Sequence, residues 1–357
     1  MTRRAISGIY TGDRLPQIDG LRGIAILMLI VGHWGRNQVD PGLAKMTPLA
    51  GYGVVLLLVI TGFVVTTGLL ARLHSGEVIG PGRWLSRKAV RTYPTLVMVV
   101  LAATAVQQWK NGIPVPFERY PGFFSLLGNY YYALALDDEL RHSLGHLWTL
   151  MVGAQFVIPW MFALRWAHRA NRLDYLMYGL LLLFGTSSGI RWFYTTSGLV
   201  PEPYAYLATE GRVADIAVGA LAALLCWQRP DASLVYSGRT ALLSSVFIVV
   251  SVTTPHPALV PLQLLAAAQL VLWLALSPDG FVTDVLSFRP LALVSVVSYS
   301  AFTWHLYGLE AERLVSALPW VARLPITTAA TLVVALVTWV FLERPVRRWT
   351  TESEPRP

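Results

Sequence analysis

GYGVVLLLVITGFVVTTGLLA, residues 51–71, runs its whole length without one charged side chain. An α-helix rises about 1.5 Å per residue, so a run of this length covers the roughly 30 Å hydrocarbon core of a bilayer. A helix on the surface of a soluble domain would show a polar face, and this one is apolar all round. Working outward, comparable runs occur at 18–36, 92–109, 146–165, 174–192, 206–227, 240–254, 259–277, 291–310 and 324–342. Phe123–Leu136 is also apolar, but it is short and carries Gly128 and Asn129, which predicts an interfacial or re-entrant piece. Of the 357 residues 55% are hydrophobic and 13% charged, about half the 25% or so of charge in soluble proteins. The predicted fold class is all-α, a polytopic integral membrane protein with about ten transmembrane helices.

Charge placement then orients the chain. Even-numbered spans put both termini on one side, and that side collects 18 Lys and Arg against 8 opposite. Excess Lys and Arg mark the cytoplasmic side, so both termini are expected there. The expected organisation is a cytoplasmic N-terminal segment 1–17, a transmembrane domain 18–342 and a cytoplasmic tail 343–357. The net charge of +8 is scattered between apolar runs and forms no single face, which speaks against a nucleic-acid partner. Cys226 is the one cysteine, so an intrachain disulfide and a cysteine-based metal site are excluded. The first apolar run lacks a small-residue cleavage site after it and is expected to be retained as a span. Arg outnumbers Lys heavily, the mark of a G+C-rich bacterial genome. The expected location is the bacterial plasma membrane.

An ionisable side chain inside a span is costly and marks a functional candidate. Arg22 and His33 lie eleven residues apart in the first span. Eleven steps of about 100° end some 20° past three turns, so both project from one helix face, separated by about 16 Å. A cation near one end and an imidazole deeper in suit a long ligand. Asp19, three residues before Arg22, is equally placed to pair with it at the interface. Before the third span, Arg87, Lys88 and Arg91 form a basic cluster with i, i+3 and i, i+4 spacing, fit to seat phosphates or to mark an ordinary positive-inside loop. Further candidates are His146 at the start of the fourth span, Arg212 with Asp215 in the sixth, and His305 with Glu310 in the ninth. Arg212 and Asp215 at i, i+3 are placed to neutralise each other. His305 and Glu310, five apart, do not share a face well. No HExxH, GxSxG or P-loop pattern occurs, so zinc, serine-hydrolase and NTPase chemistries find no motif.

The motifs resemble a known family. Ile18-Asp19-Gly20-Leu21-Arg22-Gly23, followed by His33, is similar to the opening of the membrane acyltransferase family 3. The resemblance continues in order through Thr61-Gly62-Phe63, the basic run Arg87–Pro94, His146-Leu147-Trp148-Thr149-Leu150, the stretch Arg212–Gly219, Ser298-Tyr299-Ser300 with Trp304-His305, and Glu343-Arg344-Pro345. It implies ten helices that carry an acyl group from cytoplasmic acyl-CoA, as donor co-substrate, to a hydroxyl or less often an amine. His33 would be the catalytic histidine and Arg22 its partner, with Lys88 and Arg91 in the basic pair that holds the donor. No tightly bound cofactor and no metal is implied.

This sequence departs from the family pattern at three places. Lys88 stands where an arginine is expected, which loses one bidentate fork. Gly153 and Ala154 occupy positions that are usually acidic, and Asp215 is displaced by one residue. The first reading is therefore a membrane O-acyltransferase acting on a hydroxylated small molecule or glycan, with natural-product tailoring as one setting. Two rivals stand beside it. One is a family member turned to isomerisation or cyclisation, motivated by the missing carboxylates, for which Glu310 or Asp215 would have to substitute. The other is a transporter or flippase, which predicts paired broken spans in two halves that the sequence does not display.

Overall fold

The computed structural model describes residues 15–36, 41–77, 80–112, 114–136, 138–229, 237–277 and 279–352. The expected N-terminal segment and C-terminal tail lie partly outside these. Among the described residues the chain is all helix, with no strand, and seven helices are long and apolar enough to cross a membrane.

The main elements are α1 (Pro16–Arg36), α2 (Pro48–His74), α3 (Pro81–Asn111), α4 (Trp148–Arg169), α5 (Leu173–Thr196), α6 (Ala214–Gln228), α7 (Gly238–Thr253), α8 (Val260–Leu276), α9 (Arg289–Val296), α10 (Ser298–Glu310), α11 (Trp320–Thr338) and α12 (Arg344–Glu352). The stretch 51–71 lies wholly within α2, which is the hub: α1, α4, α6 and α8 all pack on it. Closest approach is at Gly62 on α2 and Gly219 on α6, where an added Cβ would overlap the backbone carbonyl of Ile216 or Val59. Lipid tails are as apolar as leucine, so no hydrophobic gain separates helix contact from lipid contact. Small residues that let backbones touch supply the packing instead. Trp160 Nε1 donates to Thr66 Oγ1 at 2.9 Å across α4 and α2, and Gln17 Nε2 to the Leu274 carbonyl at 3.0 Å across α1 and α8. At the periphery, α5, α7 and α11 turn Leu182, Val249 and Val337 outward, the surface a bilayer covers.

Three expectations are corrected. The ninth span, 291–310, is not one helix but α9 and α10, interrupted at Val297. The sixth, 206–227, is broken at Ala208, which is extended (ψ 132°), so that only α6 remains as a shorter apolar helix. The basic run expected ahead of the third span lies inside α3, which begins at Pro81 and passes through Pro94. Hydropathy reads polarity and so starts a span at its first apolar residue. Backbone hydrogen bonding has no such preference and carries the helix outward. Phe123–Leu136 forms the short helices Tyr120–Phe124 and Gly128–Leu134, neither long enough to cross.

Candidate active site

Five helices, α1, α2, α3, α4 and α10, enclose a cavity of about 530 Å³. From α2 it receives Val54, Leu57, Leu58 and Thr61, and from α4 Leu150, Gly153, Ala154, Val157 and Ile158. Both sets follow the i, i+3, i+4, i+7 spacing of a single helix stripe. From α3 come Trp84, Leu85, Lys88 and Thr92, with Arg22 and Ile26 on α1 and Ser298, Tyr299 and Phe302 on α10 completing the wall. Most of the surface is apolar, with the cations Arg22 and Lys88 at one end. The chain break at Val297 turns Ser298 and Tyr299 toward this space, and Tyr299 Oη donates to the Thr92 carbonyl at 2.7 Å, tying α10 to α3.

At the cationic end Arg22 pairs with Asp19 at 3.5 Å, and Asp19 also accepts from Ser295 Oγ at 3.4 Å. The interface pairing and the cavity-lining role of Arg22 therefore coexist. Lys88 Nζ stands 5.5 Å over the Trp84 ring. Arg87 and Arg91 share α3 with Lys88 but are not among the cavity-lining residues.

Beyond the far end lie three histidines from three elements. His33 on α1 and His305 on α10 have ring centroids 4.8 Å apart, and His146, in the 3-10 turn Gly145–Leu147, is 4.9 Å from His305. The His33 Nδ1–H donates to the Leu29 carbonyl at 3.0 Å, which leaves Nε2 as the lone-pair nitrogen. His305 Nδ1 donates to the Phe302 carbonyl at 2.6 Å and His146 Nε2 to the Thr303 carbonyl at 3.2 Å. Phe302 stands between the cavity and the histidines: it lines the cavity and packs on His146 at 5.4 Å and on His305 at 6.0 Å. Among the described residues no three His, Cys, Asp or Glu side chains are arranged to hold a metal ion.

Of the sequence candidates, Arg22 and Lys88 meet at the cavity, while His33, His146 and His305 meet beyond Phe302. The remaining candidates lie elsewhere. Arg212 and Asp215 pair at 3.5 Å as their spacing suggests, but Asp215 also takes Arg191 at 3.2 Å, and the surplus cation of Arg212 lies 4.5 Å over Trp148 and 5.0 Å over Tyr206. Glu310 is held by Lys110 at 3.6 Å and Arg313 at 3.3 Å. Neither Asp215 nor Glu310 is thereby placed to stand in for a carboxylate at Gly153 or Ala154.

Arg191 and Phe302 escaped sequence reasoning, and Tyr299 entered it only within the Ser298-Tyr299-Ser300 motif, without a role. A charge inside the apolar run 174–192 was the available signal for Arg191; nothing in the pattern marks Phe302. A further polar group ties α4 and α5 to the short helix Gly128–Leu134 and to the segment between α5 and α6. Gln155 Nε2 donates to Asn129 Oδ1 at 2.8 Å, and Thr209 Oγ1 to Gln155 Oε1 at 2.6 Å. Tyr130, Tyr194 and Tyr204 all donate to the Glu210 carboxylate, at 2.6, 3.0 and 2.8 Å. Burial, then its bond to Glu210, pushes the Tyr130 hydroxyl up to about 12.

An acyltransferase-domain profile matches residues 15–342. Among characterised proteins the chain is 22% identical to the peptidoglycan O-acetyltransferase OatA of Listeria monocytogenes, across 95% of this chain and 57% of that protein. It is 21% identical to the O-acetyltransferase OatA of Staphylococcus aureus, across 97% of this chain and 59% of that one. The chain thus spans somewhat under two thirds of the length of these relatives. No solved structure matches it. With a family match over nearly its whole length and a bundle of apolar helices built to cross a bilayer, the chain belongs to this acyltransferase family, as a multi-pass membrane acyltransferase domain.

Proposed function

We propose that the chain moves an acyl group from acyl-CoA to a hydroxyl of a small-molecule or glycan acceptor, with His33 as the base. The observation that carries this reading is the cavity itself: cations at one end, an apolar interior, and Phe302, which both lines it and packs on the histidine cluster. Phosphates of the donor seat on Lys88 and Arg22, with Arg91 and Arg87 adding positive potential from the same helix. The pantetheine arm runs inward past the hydroxyls of Thr61, Thr92 and Ser298.

The acceptor hydroxyl gives its proton to His33 Nε2 as its oxygen attacks the thioester carbonyl. The new C–O bond forms, the tetrahedral intermediate collapses, the C–S bond breaks, and the His33 proton passes to the departing thiolate. The Leu29 carbonyl holds Nδ1–H and so keeps the correct tautomer through the step. Ten crossings with both termini in the cytoplasm belong to the same reading, with α6, α7 and the α9–α10 pair as three short crossings beside the seven long ones. The name of the Listeria relative favours a glycan acceptor over natural-product tailoring.

A second reading, acid–base isomerisation or cyclisation by the same histidines, draws support from Gly153 and Ala154, which leave the α4 wall of the cavity without a carboxylate. One experiment separates the two. Purified protein in lipid nanodiscs is given an acyl-CoA panel with hydroxylated acceptors, and free thiol and acylated product are measured. Thiol release matched by product, and lost in His33→Ala, supports acyl transfer. Intact donors throughout, with folded protein, overturn it in favour of the second reading.

A further inference from the structure

The cavity has two unlike sides. On α1, α2, α3 and α10 its wall carries the cations Arg22 and Lys88 and the hydroxyls of Thr61, Thr92 and Ser298. On α4, past Thr149 in the first turn, the wall is Leu150, Gly153, Ala154, Val157 and Ile158, without one polar side chain. These α4 residues form one stripe, and Gly153 stands inside it, with Thr149, Leu150 and Val157 around it. A side chain at 153 therefore enters the cavity. A Cβ added there meets no atom within 4 Å, so the space in front of Gly153 is open. Nor is this side sealed: Leu126, whose carbonyl accepts from Gln155 Nε2 on α4 at 2.5 Å, lines the cavity and is 46% exposed.

The pantetheine arm of a CoA thioester brings amide groups, and a buried amide needs hydrogen-bond partners. Hydroxyls on the α2, α3 and α10 side can supply them; the α4 stripe supplies none. The stripe from Leu150 to Ile158 runs about 12 Å along its helix, far longer than an acetyl group. Apolar surface facing open space gains free energy only when an apolar group covers it. The acyl chain is the one part of a CoA thioester that is both apolar and free to vary in length.

We propose that the donor carries an acyl tail of several methylenes, which lies along the α4 stripe over Gly153 and Ala154. The donor class is then a medium-chain acyl-CoA. This rests on the reading of the chain as an acyl-CoA-dependent transferase. Gly153 sets the length that is accepted, because its missing side chain is the space the tail takes. It is a specificity residue and takes no part in proton transfer.

The test measures equilibrium binding of acetyl-, butanoyl- and hexanoyl-CoA to the full chain in lipid nanodiscs by calorimetry. Empty nanodiscs are subtracted to remove partition of the tail into lipid. A methylene moved fully out of water is worth about fourfold in affinity, so hexanoyl-CoA is expected to bind wild type at least about tenfold more tightly than acetyl-CoA. In Gly153→Leu, which fills the open space, hexanoyl-CoA falls to within about threefold of acetyl-CoA, less than one buried methylene, while acetyl-CoA binds as in wild type. Ala154→Leu, the next position of the stripe, is expected to give the same pattern and serves where the first variant folds poorly. Wild-type affinity that does not rise with tail length overturns the proposal. So does either variant, when folded, that keeps the wild-type length dependence. A variant that loses acetyl-CoA as much as hexanoyl-CoA overturns it too, since the pantetheine arm and not the tail then lies on the stripe. Folded wild type that binds no CoA thioester at all overturns the acyl-CoA reading itself, a distinguishable result.

Discussion

Asp215 takes a guanidinium on each carboxylate oxygen, from Arg191 at 3.2 Å and Arg212 at 3.5 Å, and two aromatic faces cover the surplus charge. The histidine group lies in the same bundle and is as deeply placed, yet His305 keeps an unused lone pair and His33 remains partly open. Both clusters are polar groups in an apolar bundle. In the charged one each carboxylate oxygen meets a guanidinium and the ion pairs balance its charge, although the Arg212 nitrogens make no hydrogen bond among the described residues. In the neutral one no opposite charge stands beside the rings, and His146 Nδ1 and His305 Nε2 make no hydrogen bond among the described residues. Charge inside a membrane protein is therefore a poor guide to chemistry unless its partners are counted.

The sharpest way to break this comparison is to remove the two groups in turn. His33→Ala is expected to lower kcat by about 10²–10⁴-fold, the usual contribution of a general base, with no loss of thermal stability. Asp215→Asn should do the reverse. Leaving two buried guanidiniums short of their anion costs about 3–5 kcal/mol, read as a fall in unfolding temperature and in yield of folded protein. The folded fraction should keep kcat within about threefold, well short of a catalytic loss. If Asp215→Asn abolishes kcat in stably folded protein, the charged cluster is part of the chemistry and the contrast fails.

The same logic sharpens the cavity's two ends. Lys88→Ala should raise KM for the donor about tenfold, the 1.4 kcal/mol scale of one partly solvated contact to phosphate, and leave kcat nearly unchanged. Glu310→Gln should do least. Its two ion pairs are solvent-screened, so a stability change below about 1 kcal/mol and unaltered kinetics are expected. A kinetic effect there would reinstate Glu310 as a substitute carboxylate.

Much of this arrangement is readable from sequence because it obeys one helix's geometry. The 51–71 run, and the eleven-residue spacing that puts Arg22 and His33 on one face, need no partner to be seen. What joins His33 to His305 is different in kind. They are separated by most of the chain, and ring contact between them follows from how α1 meets α10, which periodicity within a segment does not encode. The break at Val297 was hidden because it lies in a largely apolar stretch, where hydropathy is blind to a change of backbone direction. Ala208, in contrast, stands just before Thr209-Glu210-Gly211-Arg212, a polar interruption that the apolar residues on either side outweigh. Lys88 was found by charge and misplaced by polarity, since α3 carries it inside the helix.

The contact between Gln17 and Leu274 spans 257 residues, and an added Cβ at Gly20 or Gly23 would overlap the carbonyl of Leu286 or Leu291. α1 is therefore the earliest of these helices to be synthesised and among the last to find its neighbours. At roughly 5–20 residues per second, the ribosome needs on the order of 10–50 s to deliver the other side of that contact. Through that interval the segment bearing both Arg22 and His33 has to be sheltered in a bilayer that tolerates neither well. Biogenesis, more than the finished bundle, is where the cost of placing Arg22 and His33 on the earliest of these helices falls.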